Sequence, residues 1–157
     1  MCIRDRSPVL ALLRNLLTAR FWPILLIAYV CVLATATHWP RLRFDGPVPR
    51  SDLYIHLLAF GTLGGLVTLS AFFAPAASGR NIALSWLAAM LYAAVDESTQ
   101  AIPGLGRTAA LDDFLANTAG ITLGVAAAAV LTRLVAPRPH SGNPPVPVIQ
   151  SQTPTDS

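Results

Sequence analysis

The chain has 157 residues, room for one domain; 54% of them are hydrophobic and 12% charged, half the roughly 25% typical of soluble domains. So little charge points to a bilayer as the solvent rather than water. All 11 basic residues are arginine, the net charge is only +3, and no basic stripe of the kind nucleic acid requires is present.

The opening heptapeptide, MCIRDRS, resembles read-through from a sequencing adapter and is set aside as non-native. Residues 8–20, PVLALLRNLLTAR, read as an amphipathic lead-in capped by Ser7 with Pro8 at the first helical position. Four apolar stretches follow. A bilayer core of about 30 Å needs roughly 20 apolar helical residues, with a range of about 17–25. Phe21–Thr37 and Leu57–Gly79 carry no formal charge. Ile82–Val95 is shorter and reaches span length only by running on through Asp96, Glu97 and Gln100 to Ile102. Phe114–Thr132 is the fourth. Pro103 and Gly104 stop the third, and Pro137 closes the fourth. The tail from Pro137 holds six prolines in 21 residues, a composition that favours a disordered, solvated segment. The expected architecture is all-α: a lead-in over 1–20, a compact bundle of four transmembrane helices over 21–136, and a disordered tail over 137–157. The two cysteines suggest no disulfide framework, metal site or redox site, because Cys31 sits in an apolar run where a thiol packs like a small hydrophobe. No cofactor is implied.

Parity then brings distant residues together. The first span ends near His38 and the second begins near Asp52, so these ends share one side of the membrane. The third span returns to that side at Asp96, and the fourth leaves it at Asp112. Asp52, His56, Asp96, Glu97, Gln100, Arg107, Asp112, Asp113 and Asn117 therefore collect at one face. Arg14, Arg20, Arg80, Arg133 and Arg138, with Arg4 and Arg6 of the heptapeptide, lie on the other side, against Arg41, Arg43, Arg50 and Arg107 here: seven against four, or five against four without the heptapeptide. That asymmetry favours both termini in the cytoplasm of a cell whose inner membrane holds the chain. The polar face then looks outward. A rival reading takes Phe21–Leu33 as a signal sequence cut after Ala34-Thr35-Ala36, which is late for such a signal; it leaves the polar face in place.

The acids need an explanation. A charge at the bilayer centre costs about 2.5–3.5 kcal/mol, while each Leu, Ile, Val or Phe returns about 0.3–0.6 kcal/mol. Ile82, Leu84, Leu87, Leu91 and Val95 do not offset two acids at that depth. Asp96 and Glu97 must sit near the headgroups, be paired or be protonated. Gln100 is within one helical turn of both. Asp52 and His56, four apart, share a helix face, where the carboxylate can accept from the imidazole and orient it; the plainer reading, preferred for this pair alone, has Asp52 as a cap and His56 in an interhelical hydrogen bond. Asp112 or Asp113 suits a helix cap, and Asp113 and Asn117 share a face. Arg107, the cation between the third and fourth spans, either neutralises the acids or holds an anionic group by a forked hydrogen bond. Gly61, Gly65, Gly120 and Gly124 read as points of close helix approach.

The run Asp96-Glu97-Ser98-Thr99-Gln100, then Gly106-Arg107, then Asp113-Phe114-Leu115-Ala116-Asn117-Thr118-Ala119-Gly120 resembles the VanZ-like family of small bacterial membrane proteins. Asp52-x-x-x-His56-x-x-x-Phe60 is similar to that family's D-K-x-x-H-F segment. Leu53 stands where the family commonly has lysine, and Leu57 where it often has an aromatic residue. The resemblance covers residues 52–124 and implies a link to glycopeptide resistance, of the teicoplanin type, in the cell envelope.

Several functions compete. The first is a site for an amphiphile, a lipid headgroup or a lipid-linked envelope compound. Glu97 or Asp96 works there with His56 as an acid/base pair, and Asp52, Gln100, Arg107, Asp113 and Asn117 are binding groups. The second is a non-enzymatic helper whose polar cluster locks the helices. A transporter is a third, opposed by the scarcity of polar residues in the opposite half. A zinc site would rest on His56 alone among good histidine ligands, since His38 lies at a helix end and His140 in the tail. Membrane lipids are the expected partners, and nucleic acid is not one.

Overall fold

The computed structural model describes residues 8–17, 20–39, 50–100 and 111–135. Its secondary structure there is wholly helical: α1 Pro8–Leu17, α2 Trp22–His38, α3 Ser51–Leu69, α4 Gly79–Gln100 and α5 Leu111–Val135. The Pro-rich tail, Arg107 and the heptapeptide at the start lie outside the described residues.

Local chemistry sets the helix limits. Proline in the first turn of α2 loses nothing, since its missing N–H would have no helical acceptor. The indole Nε1 of Trp22 donates to the Leu16 carbonyl at 2.8 Å, tying the amphipathic α1 to the start of α2. α3 starts at Ser51, next to the expected start near Asp52, and stops ten residues before the apolar stretch ends at Gly79. The apolar run does continue, through Ala71-Phe72-Phe73-Ala74-Pro75, but not as helix. Ala71 takes a left-handed conformation (φ 51°) after the last turn, and Pro75 suits a chain that has left the helix. Phe72 and Phe73 are exposed there.

Of the four spans expected, two helices, α3 and α5, are long and apolar enough to cross a membrane by length and composition. α2 is apolar but only 17 residues long. α4 has 22 residues, yet its polar side chains dilute its hydropathy. Those side chains face inward. Asn81, Ser85, Asp96, Glu97 and Gln100 are buried, while Leu87, Leu91 and Val95 are 58%, 65% and 54% exposed. In water such an inverted helix would expose its apolar face and bury its polar one at a cost on both counts.

α3 and α5 run parallel and form the closest pair. A Cβ added at Gly120 would stand 2.9 Å from the Gly61 nitrogen, and one at Gly64 would stand 2.7 Å from the Ile121 carbonyl oxygen. One at Gly124 would overlap the Gly61 carbonyl. Small residues thus let two backbones touch. The expected Gly65 contributes least, its added Cβ falling 3.6 Å from Gly124, and Gly64 takes its place. Phe60, Leu63, Ala89, Ala93 and Ile121 fill the core beside this seam. α4 runs antiparallel to both, as Trp86 Nε1 donating to Thr122 Oγ1 at 3.1 Å and Asn81 Nδ2 donating to the Thr68 carbonyl at 2.9 Å record.

Candidate functional site

The end of α2, the start of α3, the end of α4 and the start of α5 lie together. Two polar groups form there. The first is built on Asp96, whose side chain is only 2% exposed. Thr37 of α2 donates to its Oδ1 at 2.7 Å, and Gln100, one turn along α4, donates through Nε2 to its Oδ2 at 2.9 Å. His38 stands beside it, Nδ1 3.7 Å from Asp96 Oδ1. The same Nδ1 is 2.9 Å from the Ala34 carbonyl, and Nε2 is 2.8 Å from Thr99 Oγ1. A carbonyl accepts, so Nδ1 carries a proton. Thr99 can serve either charge state of the ring: its hydroxyl donates to a bare Nε2, or accepts from a protonated one and gives its own proton to the Asp96 carbonyl at 2.8 Å.

The second group is built on His56, 9% exposed. Its Nδ1 lies 3.0 Å from Asn117 Oδ1 on α5, and its Nε2 lies 4.0 Å from Asp113 Oδ2. The amide oxygen accepts, so Nδ1 bears a proton, and Nε2 faces the Asp113 carboxylate. Phe60, one turn on, stacks on the imidazole with ring centroids 6.2 Å apart and planes at 10°. Phe60 in turn meets Tyr92 of α4 at 6.2 Å, one turn before Asp96. Asn117 is fully buried, and its Nδ2 has no hydrogen-bond partner among the described residues.

The hydrogen bond of His56 is interhelical, as the plainer reading of this residue expects. Asp52 does not orient His56: it is exposed, no hydrogen bond joins the two among the described residues, and Asn117 from another helix takes that role. Asp112 and Asp113 lie in the first turn of α5. Asp112 pairs with Arg50, which holds a left-handed conformation (φ 59°) at the start of α3, and both partners are largely exposed. Glu97 is buried next to Asp96, and it and Asp113 each engage a further group. Arg107 lies outside the described residues.

Sequence reasoning missed Thr37, Thr99 and the part played by His38. The two threonines are ordinary helix-end residues in sequence, and only the pairing of α2 with α4 gives them a role. An open apolar groove lined by Cys31, Val32, Thr35, Ala36 and Trp39 lies on the outer side of α2, away from the buried carboxylate. Its lining suits hydrocarbon rather than a polar reaction.

A family model described as VanZ/LLP1 matches residues 8–132. No curated protein and no solved structure matches the chain.

Proposed function

The chain belongs to the VanZ/LLP1 family, and on that premise we propose that it is a multi-pass protein of the cytoplasmic membrane whose outward-facing polar end binds or acts on the anionic headgroup of an amphiphile. The family and its apolar helices point to a membrane protein. The inverted faces of α4 support four crossings, because a helix with buried acids and exposed leucines is stable where lipid surrounds it. At 1.5 Å per residue, α2, α3, α4 and α5 are about 25, 28, 33 and 37 Å long, against a core of about 30 Å. The arginine asymmetry favours both termini in the cytoplasm.

The observation that carries the reading is the convergence of Asp96, Gln100, His56, Asn117 and Asp113 from three helices at one end of the bundle. That end lies at headgroup depth if the helices cross. There His56, held through Nδ1 by Asn117, works with Glu97 or Asp96 as an acid/base pair. Glu97 and Asp96 supply carboxyl groups, Asn117 Nδ2 offers a buried donor, and Arg107 holds phosphate or carboxylate. Lipid-linked wall precursors and lipid-tailed glycopeptides both fit this chemistry, which agrees with the family's link to glycopeptide resistance. The test is mass spectrometry of lipid retained by the purified protein, then repeated with Glu97→Gln and Arg107→Ala. Loss of the retained amphiphile with unchanged unfolding supports the site. Undiminished retention in both variants rejects it.

One observation favours a second reading, a non-enzymatic helper. Thr37 and Gln100 already engage both oxygens of Asp96, which suits a group whose work is to lock α2 to α4. On that reading the same substitutions lower stability, and no ligand is lost selectively.

A further inference from the structure

The buried face of α4 carries more than the acids. Successive helical residues turn by about 100°. On that spacing Asn81, Ser85, Tyr92 and Asp96 fall within an arc of about 60°. This narrow stripe runs toward α2 and α3: Asn81 bonds the Thr68 carbonyl, Tyr92 meets Phe60, and Asp96 takes the Thr37 hydroxyl. Asn81 and Ser85 are fully buried. Asn81 Oδ1, Ser85 Oγ and the Tyr92 hydroxyl are buried polar atoms with no hydrogen-bond partner among the described residues.

Ser85 is the telling member. Helical hydroxyls elsewhere in the chain donate to the carbonyl four residues back: Thr62, Thr68, Ser98, Thr118 and Thr132 all do so at 2.6–2.9 Å. That bond was open to Ser85, at the Asn81 carbonyl, and is not made. Its hydroxyl points instead into the bundle, where a buried polar group without a protein partner is ordinarily served by water.

The stripe also covers most of a crossing. From Asn81 to Asp96 the helix rises about 22 Å at 1.5 Å per residue, about three-quarters of a bilayer core of about 30 Å. The longest interval without a polar side chain runs from Ser85 to Tyr92, a rise of about 10 Å. Ala88 and Ala89, the smallest side chains after glycine, lie along it, and Ala89 packs in the core. A chain of about three water molecules at ~2.8 Å spacing would be needed to cross that interval.

We propose that this stripe is a proton path: water held between α4 and the α2–α3 side passes protons between the Asn81 end and the carboxyl groups of Asp96 and Glu97. At each step one O–H bond forms as the next breaks. Tyr92 and Ser85 each accept a proton on one side and release one on the other, and no oxidant or co-reactant is needed. The path lets the acidic end be charged or discharged from the opposite side of the membrane. It rests on α4 crossing the bilayer. It does not rest on the amphiphile site, because proton flux needs no ligand.

The experiment uses the full chain in phosphatidylcholine–phosphatidylglycerol vesicles. They hold an internal pH dye, and a potassium gradient with valinomycin drives proton entry. The wild type is expected to raise the entry rate several-fold above protein-free vesicles, and Ser85→Leu to return it to background. A wild-type rate equal to that of empty vesicles, or an undiminished rate in Ser85→Leu, overturns the proposal. A second measurement does not depend on how Ser85→Leu folds. In a Cys2→Ser, Cys31→Ser background, Ser85→Cys should react with a small water-soluble thiosulfonate while Leu87→Cys, on the exposed apolar face, does not. A Ser85→Cys protein that stays unmodified while Ser98→Cys reacts means a dry interior and ends the idea. Arg80→Cys and Ser98→Cys test the crossing itself, since labelling of both from one side of the vesicle shows that α4 does not span.

Discussion

Asp96→Ala is the sharpest test of how the polar end is held together. It removes the acceptor for Thr37 at 2.7 Å and for Gln100 at 2.9 Å. Thr37 keeps an alternative in the Ala34 carbonyl at 3.3 Å, whereas Gln100 is only 3% exposed and is left with a buried amide. Interhelical hydrogen bonds in membrane proteins average about 0.6 kcal/mol and reach about 1.7 kcal/mol. A charged acceptor belongs at the upper end, and a buried donor left unpaired adds about 1–3 kcal/mol. Asp96→Ala is therefore expected to lower stability by about 2–4 kcal/mol. Asp96→Asn keeps the shape. Gln100 can turn its carbonyl toward the new amide, so a loss of about 1 kcal/mol is expected. Unfolding by titration of SDS into mixed micelles measures both. Adding Thr37→Ala to each background closes a double-mutant cycle, with a Thr37–Asp96 coupling of about 1–1.7 kcal/mol expected. Equal stability of the Ala and Asn variants, or a coupling of zero, would show that this carboxylate does not join α2 to α4.

Three further outcomes follow from the packing and the caps. Gly120→Ala should destabilise by about 1–3 kcal/mol because its methyl meets the α3 backbone, whereas Gly65→Ala, with room beside Gly124, should be neutral or gain up to about 1 kcal/mol from helix propensity; the same SDS titration compares them. Nitrogen-15 NMR of histidine-labelled protein should find a proton on Nδ1 of His56, and a ring protonated on Nε2 alone would refute the Asn117 contact. Ala71→Gly should stabilise by about 1 kcal/mol by relieving the left-handed cap after α3, and a loss on the same titration would count against that conformation.

The helices were largely legible in the sequence because proline and glycine mark their ends and apolar runs mark their bodies. Parity also places His56, Asp96, Gln100, Asp113 and Asn117 at one end of the bundle. What stayed hidden was rotation. A helix that is apolar nearly all round gives no periodicity from which to choose its inner face, so Gly65 was preferred to Gly64 and the residue that bonds His56 across the helices was not identified. The partner came from α5, and spacing within one segment does not reveal contacts between segments. The second span was carried too far for a related reason. Hydropathy marks what is compatible with lipid, not what is helical, and the Phe72–Phe73 turn is apolar without being helix. Thr37 and His38 fell at the edge of a span, where a threonine or histidine has many uses.

The inverted faces of α4 also bear on how the chain would tolerate change. A survey of single substitutions along this helix should show the reverse of the pattern familiar from proteins in water. Positions such as Leu87 and Leu91 should exchange freely among oily residues of any shape and reject charge. Positions such as Ser85 and Ala89 should accept other small groups, including polar ones, and reject bulk. Sequences drifting under those two filters would keep volume constant inside and greasiness constant outside, so relatives of this chain would be better recognised by the size of their inward residues than by their polarity.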